Sequence, residues 1–154
     1  MLRELQVTKD KPANSMYKSA ETEVITGMAV VKDETNKTFK FAEADTVADL
    51  FFVDKERVPS GLNAARGDMS DYDEDFVTVK ENEFAKLIAY YVGERFATDQ
   101  YDGDLEVGDR LAAGVDGKLA KATSAASRYV YKGEFVDNGH KLAIVEVSDT
   151  TASN

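Results

Sequence analysis

The sequence predicts a mainly β protein: an antiparallel β-barrel or sandwich with at most one or two short helices, preceded by an extended N-terminal arm. Three observations carry this prediction. Leu105 to Ala122 reads as strand, tight turn, strand, with Gly108-Asp109 and Asp116-Gly117 as turn dipeptides, because Gly accepts positive φ and Asp hydrogen-bonds nearby backbone. Asn138-Gly139 lies between two β-rich runs, and Asn-Gly in that setting is the strongest short-range hairpin signal. Val24 to Val31 is dominated by β-branched residues, with Gly27 marking a bulge or a close approach.

Along the chain, residues 1–20 contain Pro12, Asn14 and Ser15 without a sustained period, and read as an arm that orders against a partner. A single domain follows over 21–148. After the 24–31 strand, Asp33 to Lys37 is a polar connection, and Thr38-Phe39-Lys40-Phe41 alternates as the returning strand of a hairpin. Asp45 or Thr46 caps one short helical turn, and Leu50-Phe51-Phe52-Val53 resumes a buried strand.

Residues 54–75 carry Pro59, Ser60, Gly61, Asn63 and Gly67 and read as a long exposed loop, closed by the strand Phe76-Val77-Thr78-Val79. Connections longer than about 12–15 residues in a compact domain are commonly functional or disordered, so this loop is a candidate partner-facing excursion. Residues 82–92 fit two periods. Phe84, Leu87, Ile88, Tyr91 and Val92 have helical spacing, while Phe84, Lys86 and Ile88 alternate with Ala85, Leu87 and Ala89; the β-favouring Tyr90-Tyr91-Val92 and the Gly93-Glu94 turn tip the reading towards strand. Arg128 to Val136 and Lys141 to Val147 form the Asn-Gly hairpin, and residues 149–154 read as a flexible tail.

Composition narrows the chemistry. A hydrophobic content of 43% supports a packed core, and no apolar run approaches the roughly 20 residues that span a bilayer. The segment after Met1-Leu2-Arg3-Glu4 lacks the apolar stretch of a secretory signal, which predicts cytosolic synthesis. With no cysteine, disulfides, thiolate metal sites and cysteine nucleophiles are excluded together. A net charge of −10 argues against nucleic acid, whose phosphates require clustered Lys and Arg. Residues 1–20 nevertheless carry +2 and the remainder −12, a basic arm on an acidic body.

Candidate catalytic groups are sparse. His140 is the single histidine and stands in a hairpin turn, where neither an orienting carboxylate nor a shielded pocket is provided by the local sequence. Asp68, Asp71, Asp73, Glu74 and Asp75 offer oxygens to a hard cation such as Ca²⁺, but without EF-hand spacing; Asp99, Asp102, Asp104 and Glu106 form a second, weaker cluster. A solvated acidic surface explains both. Arg66-Gly67-Asp68 matches an adhesion tripeptide in the long loop, where its Gly-Asp already serves a turn. Neither phosphate-loop glycine pattern is present. Tyr90-Tyr91 and Tyr129-Tyr131 suit a sugar or peptide platform, although tyrosines in strands more often pack half-buried.

Taken together, the arm, Ile25-Thr26-Gly27-Met28-Ala29-Val30 and Ala44-Asp45-Thr46 leading to Phe51-Phe52-Val53-Asp54-Lys55 resemble the front half of capsid decoration proteins of tailed bacteriophages. Gly93 to Tyr101, Leu105 to Asp109 and Asp116-Gly117-Lys118-Leu119 are similar to the back half, so the resemblance spans roughly residues 20–147 through loose turn-and-strand patterns. It implies a non-enzymatic virion protein without a cofactor, on the outer capsid surface, often trimeric, which stabilises the shell by bridging major capsid subunits. The 54–75 loop has no counterpart in that pattern. On this reading the arm is the capsid anchor, with Arg3, Lys9, Lys11, Tyr17 and Lys18 as contact residues. The reading from another class is a non-enzymatic binding module for a glycan or protein, calcium-assisted through the 68–75 acids.

Overall fold

The β-branched and aromatic runs fold as strands in a computed structural model that describes residues 1–7, 16–55 and 77–154. The architecture is mainly β, with a closed barrel and antiparallel sheets. A 3₁₀ turn at Val115–Gly117 is the helical element in the order of the described residues. The barrel consists of β2 (Tyr17–Ser19), β5 (Thr38–Phe41), β4 (Ala29–Asp33), β6 (Phe51–Asp54) and β8 (Phe84–Ile88), in that order around the wall. Its β2–β5 contact is parallel and the other four are antiparallel. A six-stranded antiparallel sheet runs β1 (Leu2–Gln6), β9 (Arg95–Thr98), β13 (His140–Ala152), β12 (Ser127–Asp137), β10 (Arg110–Ala113), β11 (Leu119–Lys121). A short ribbon of β3 (Glu23–Ile25) and β7 (Thr78–Lys80) adds Val24 and Val79 to the barrel core.

Period-two alternation explains how barrel and sheet are joined. Successive side chains of a strand point to opposite faces, so a strand shared between two cores must be apolar on both. In β4, Val30 points into the barrel while Ala29 faces the sheet; in β6, Val53 points inward and Phe52 outward. Phe52 is fully buried and its ring lies 4.4 Å from that of Phe96, 5.7 Å from Tyr90 and 5.9 Å from Tyr129. Tyr90 and Phe96 stack at 4.2 Å. This aromatic cluster continues into Leu111, Leu119, Tyr131, Val145 and Val147 of the sheet.

Gly27 marks the closest backbone approach. Its φ of +99° suits glycine, and a Cβ there would lie 2.8 Å from the Met1 carbonyl oxygen and collide with the Thr98 hydroxyl. The continuous strand expected over 24–31 is therefore two strands, β3 and β4, with the turn at Gly27 between them.

Other expectations are also corrected. Residues 1–20 are not a free arm where they are described: Leu2–Gln6 pairs with β9, and Tyr17–Ser19 completes the barrel between β5 and β8. The short helical turn after Asp45 is absent, since Asp45 has a φ of +64° and its N–H donates to the Ala113 carbonyl at 2.7 Å. Residues 149–154 are not a loose tail: β13 continues to Ala152, paired with Ser127, and the Asn154 carboxamide donates to the carbonyls of Arg110 and Ala122. Residues 84–88 are a strand, with Ala85 and Leu87 turned into the barrel. Of the loop expected over 54–75, only Asp54 and Lys55 are described. Lys55 is anchored by donating from Nζ to the Thr78 carbonyl at 2.6 Å.

Because Phe52 belongs to both layers, Phe52→Ala is expected to destabilise the whole molecule by about 3–5 kcal/mol, the range for large aromatic truncations in cores. Urea unfolding followed by near-ultraviolet circular dichroism should show one transition at a lower midpoint. Independent melting of two layers would contradict the shared core.

Candidate interaction surface

Of the sequence-predicted contact residues, Arg3, Tyr17 and Lys18 are described, and each has its own surroundings. Arg3 sits on β1, half-buried, and its Nε donates to an Asp137 carboxylate oxygen at 2.8 Å, so it ties the edge strand to the tip of the β12–β13 hairpin. Tyr17 is only 5% exposed: its ring belongs to the barrel core and its hydroxyl donates to the Glu34 carboxylate at 2.7 Å. That makes it a packing residue. Lys18 is exposed on β2, with its ammonium 5.2 Å from the centre of the Phe84 ring. Lys9 and Lys11 lie outside the described residues, as do Arg66-Gly67-Asp68 and the acids 68–75.

The second acidic cluster is dispersed into separate structural duties. Asp99 accepts from the Met1 amino group at 2.5 Å and from the Gln100 carboxamide at 2.7 Å, while Asp102 accepts from the Gly103 N–H. A shallow groove of about 280 Å³ passes Asp102, Asp104, Leu105, Ala120 and Lys121. Lys121 is held there by an ion pair to Asp109 at 2.7 Å. Among the described residues no three His, Asp or Glu side chains are grouped to hold a metal ion. His140 is exposed at the hairpin tip. Of the tyrosines considered as a platform, Tyr90, Tyr129 and Tyr131 are core residues, and burial raises the phenol pKa of all three; Tyr91 alone among these four is exposed.

The surface itself carries two groups of exposed apolar side chains, of which the sequence singles out Tyr91 as a candidate contact residue. The first combines Leu5 and Val7 at the end of β1 with Tyr91, 62% exposed, and Val92, 49% exposed, in the turn before β9. Register brings them to one end of the sheet, because Gln6 opposes Arg95 and Arg95 opposes Glu146. The second joins Phe135, near the tip of β12, with Val107, 72% exposed, whose Cγ2 lies 3.9 Å from where a Cβ on Gly133, on the Phe135 face, would be; Val136 is exposed on the opposite face of the strand. Phe135 opposes Leu142, beyond the Ala143–Thr98 pair, so this patch sits at the other end of the same ladder. Between them Glu146 bridges Arg95, at 2.6 Å from its Nε, and Lys132, at 3.2 Å. Burial works against the charge on Glu146, but these two cations hold its carboxyl below the ordinary value.

The sequence signals for these patches are weak. Gly93 announces the turn that displays Tyr91 and Val92, and Asn138-Gly139 announces the hairpin end that displays Phe135 and Val136. Neither turn signal reveals which side chains face solvent.

Asp45 shows a perturbed carboxylate with a structural cause. Its oxygens accept from the N–H groups of Thr123, Ser124 and Ala125 at 2.9–3.0 Å and from the Ser124 hydroxyl at 2.6 Å. The Ser124 hydroxyl and the backbone donors hold its pKa well below the usual carboxylate range. The side chain therefore caps a loop nearly 80 residues away instead of its own turn. Compared with known proteins, the chain matches no family model, no curated protein and no solved structure.

A depressed folded-state pKa means that the ionised form is the one the fold favours. Its contribution is complete above the ordinary Asp pKa of about 4 and is lost as pH falls below it. Asp45→Ala is accordingly expected to lower Tm at neutral pH and to narrow its gap from wild type as the pH is taken below about 4. Thermal melts across that range check this, and a gap that stays constant would show that the carboxylate's charge is irrelevant.

Proposed function

We propose that the protein is a virion structural protein that binds the outer surface of a phage capsid and stabilises the shell by bridging neighbouring capsid subunits. The observation that carries the reading is the pair of exposed apolar groups at opposite ends of one sheet ladder, Leu5/Val7/Tyr91/Val92 at one end and Val107/Phe135, with Val136 on the opposite face, at the other. A bridge needs two docking points held at a fixed separation. The ladder of β1, β9, β13 and β12 supplies that spacing, with the β12–β13 hairpin paired from Ser127 to the turn.

The loose resemblance of residues 20–147 to capsid decoration proteins supplies the partner, the major capsid protein lattice, and favours a trimer as the bound form. Multivalency supplies the energetics. Each patch is small, but a copy engaged at both ends turns the second contact into an intramolecular one, and an oligomer multiplies the effect. The −10 charge suits a surface coat, because decorated particles carrying it repel one another.

On this reading the anchor lies in the exposed apolar side chains and not in residues 1–20 as a free arm. Deleting them would remove β1 and β2 from the sheet and barrel, so the informative variants are exposed side chains. Paired substitutions Tyr91→Asp with Val92→Asp, and Phe135→Asp with Val136→Asp, are expected to leave the fold intact by circular dichroism. Each pair should reduce co-sedimentation with undecorated capsids by tenfold or more, about 1.4 kcal/mol in affinity. Full occupancy by both double variants would overturn the bridging reading.

A further inference from the structure

We infer that Asn138 is a self-modification site: its side chain condenses with the Gly139 nitrogen, and the product loosens the tip of the β12–β13 hairpin. The local geometry supplies both reactants. Asn138 has a φ of +49° and Gly139 of +83°, the two consecutive positive values of a type I′ turn. Both residues are exposed, and Asp137 pairs directly with His140 across the two-residue loop. In such a loop the hydrogen bond across the turn uses the His140 N–H and leaves that of Gly139 over. Among the described residues neither the Asn138 carboxamide nor the Gly139 N–H has a hydrogen-bond partner, and no atom stands within 4 Å of where a Gly139 Cβ would be. The nucleophile and its target are adjacent in the chain, unblocked and wet.

The step balances without redox chemistry. The Gly139 nitrogen forms a bond to Cγ of Asn138, the Cγ–Nδ2 bond breaks, and the nitrogen's proton leaves with the side-chain nitrogen as ammonia. Water then opens the cyclic imide at either carbonyl, giving a normal aspartate or a β-linked one. A left-handed Asn must leave its turn conformation before Cγ reaches the nitrogen, so the rate is tied to opening of the hairpin end. That end is suited to opening. The neighbour of β12 on its outer side, β10, pairs only at Arg110–Val130 and Leu111–Tyr129, so residues 133–137 are flanked by β13 alone among the described strands. Elements with few neighbours open at lower free energy than the core.

The consequence follows from the turn. A two-residue type I′ loop sets the register of its strands through two positive-φ residues, and a β-linkage adds a backbone carbon that this loop cannot accommodate. Either product also places a new carboxylate beside Asp137, whose partner is Arg3. The exposed Phe135 and Val136 lie on the segment so disturbed.

The test uses the intact chain, aged in mildly alkaline buffer at body temperature and sampled over days by peptide mapping with mass spectrometry. Residue 138 is expected to convert several-fold faster than Asn36 or Asn82, to yield mainly the β-linked product by isoaspartyl methyltransferase labelling, and to speed amide exchange over 133–141. Asn138→Asp, which adds the charge with a normal linkage, should leave that exchange closer to the unaged protein. Conversion of a free 132–144 peptide with none in the folded chain would overturn the inference, as would conversion no faster than at Asn36 and Asn82. Conversion that leaves amide exchange over 133–141 unchanged would overturn the loosening.

Discussion

The molecule depends on one strand being buried on both faces. β6 carries Val53 into the barrel and Phe52 into the layer between barrel and sheet, and both are fully enclosed. A register slip of one residue would exchange the two faces, sending Phe52 into a barrel interior already filled by Phe39, Val30 and Leu87. The slip is blocked sterically on one side and by loss of the Phe96, Tyr90 and Tyr129 contacts on the other. That constraint fixes the barrel wall, since Phe52 pairs with Ala29 and Ile88 across its neighbours. Through Phe96 it also sets the sheet's inner face, because Phe96 pairs with Val145 of β13 and Glu4 of β1.

How much of this the sequence reveals depends on whether the governing interaction is local. Asn138-Gly139 is legible because the two residues by themselves satisfy the positive φ values of the turn. Residues 84–88 are legible as a strand by alternation, and Phe51 to Val53 as a buried one by being apolar throughout. The N-terminal segment is not legible, because Leu2–Gln6 is mostly exposed and is held by partners distant in sequence: β9, about 90 residues away, the core against which Leu2 packs, and Asp137 for Arg3. Asp45 is instructive in another way. Its chemistry, a carboxylate seeking free N–H groups, is correctly read from sequence, but the donors come from residues 123–125 and not from its own turn.

The candidate surface is legible to a similar degree. Alternation places Tyr90 and Tyr91 on opposite faces, and sequence cannot say which is buried; the Phe52–Phe96 cluster decides by taking Tyr90. The same holds for Phe135 and Val136, which look like core residues in the sequence. They are exposed because β12 and β13 outrun β10 and leave the hairpin tip without a covering strand. Exposed apolar side chains at such a tip are a physical oddity for a strand end, where charges normally discourage association. Here Lys132, Glu134, Asp137 and Lys141 surround them, and Glu134 and Lys141 pair with each other.

Charge and apolar surface then divide the work differently from the division implied by composition. The +2 excess of residues 1–20 suggests a separable basic pole, yet Arg3 is neutralised by Asp137 and Lys18 stands over Phe84. A cation held in a half-buried ion pair has already spent its desolvation and offers little to a second partner. Long-range electrostatics of the body therefore remain those of an acidic protein, repulsive towards its own kind over a Debye length of about 8 Å at physiological salt. Within that distance only short-range contacts attract, and the exposed apolar side chains of the described structure that lie at the two ends of the ladder are among those available for them, beside Met16, Phe84 and Val115 elsewhere. On the proposed bridging role, the separation of those two ends on one continuous sheet would make simultaneous engagement of two neighbours a matter of geometry, and the acidic body would limit attachment to surfaces that complement the patches closely.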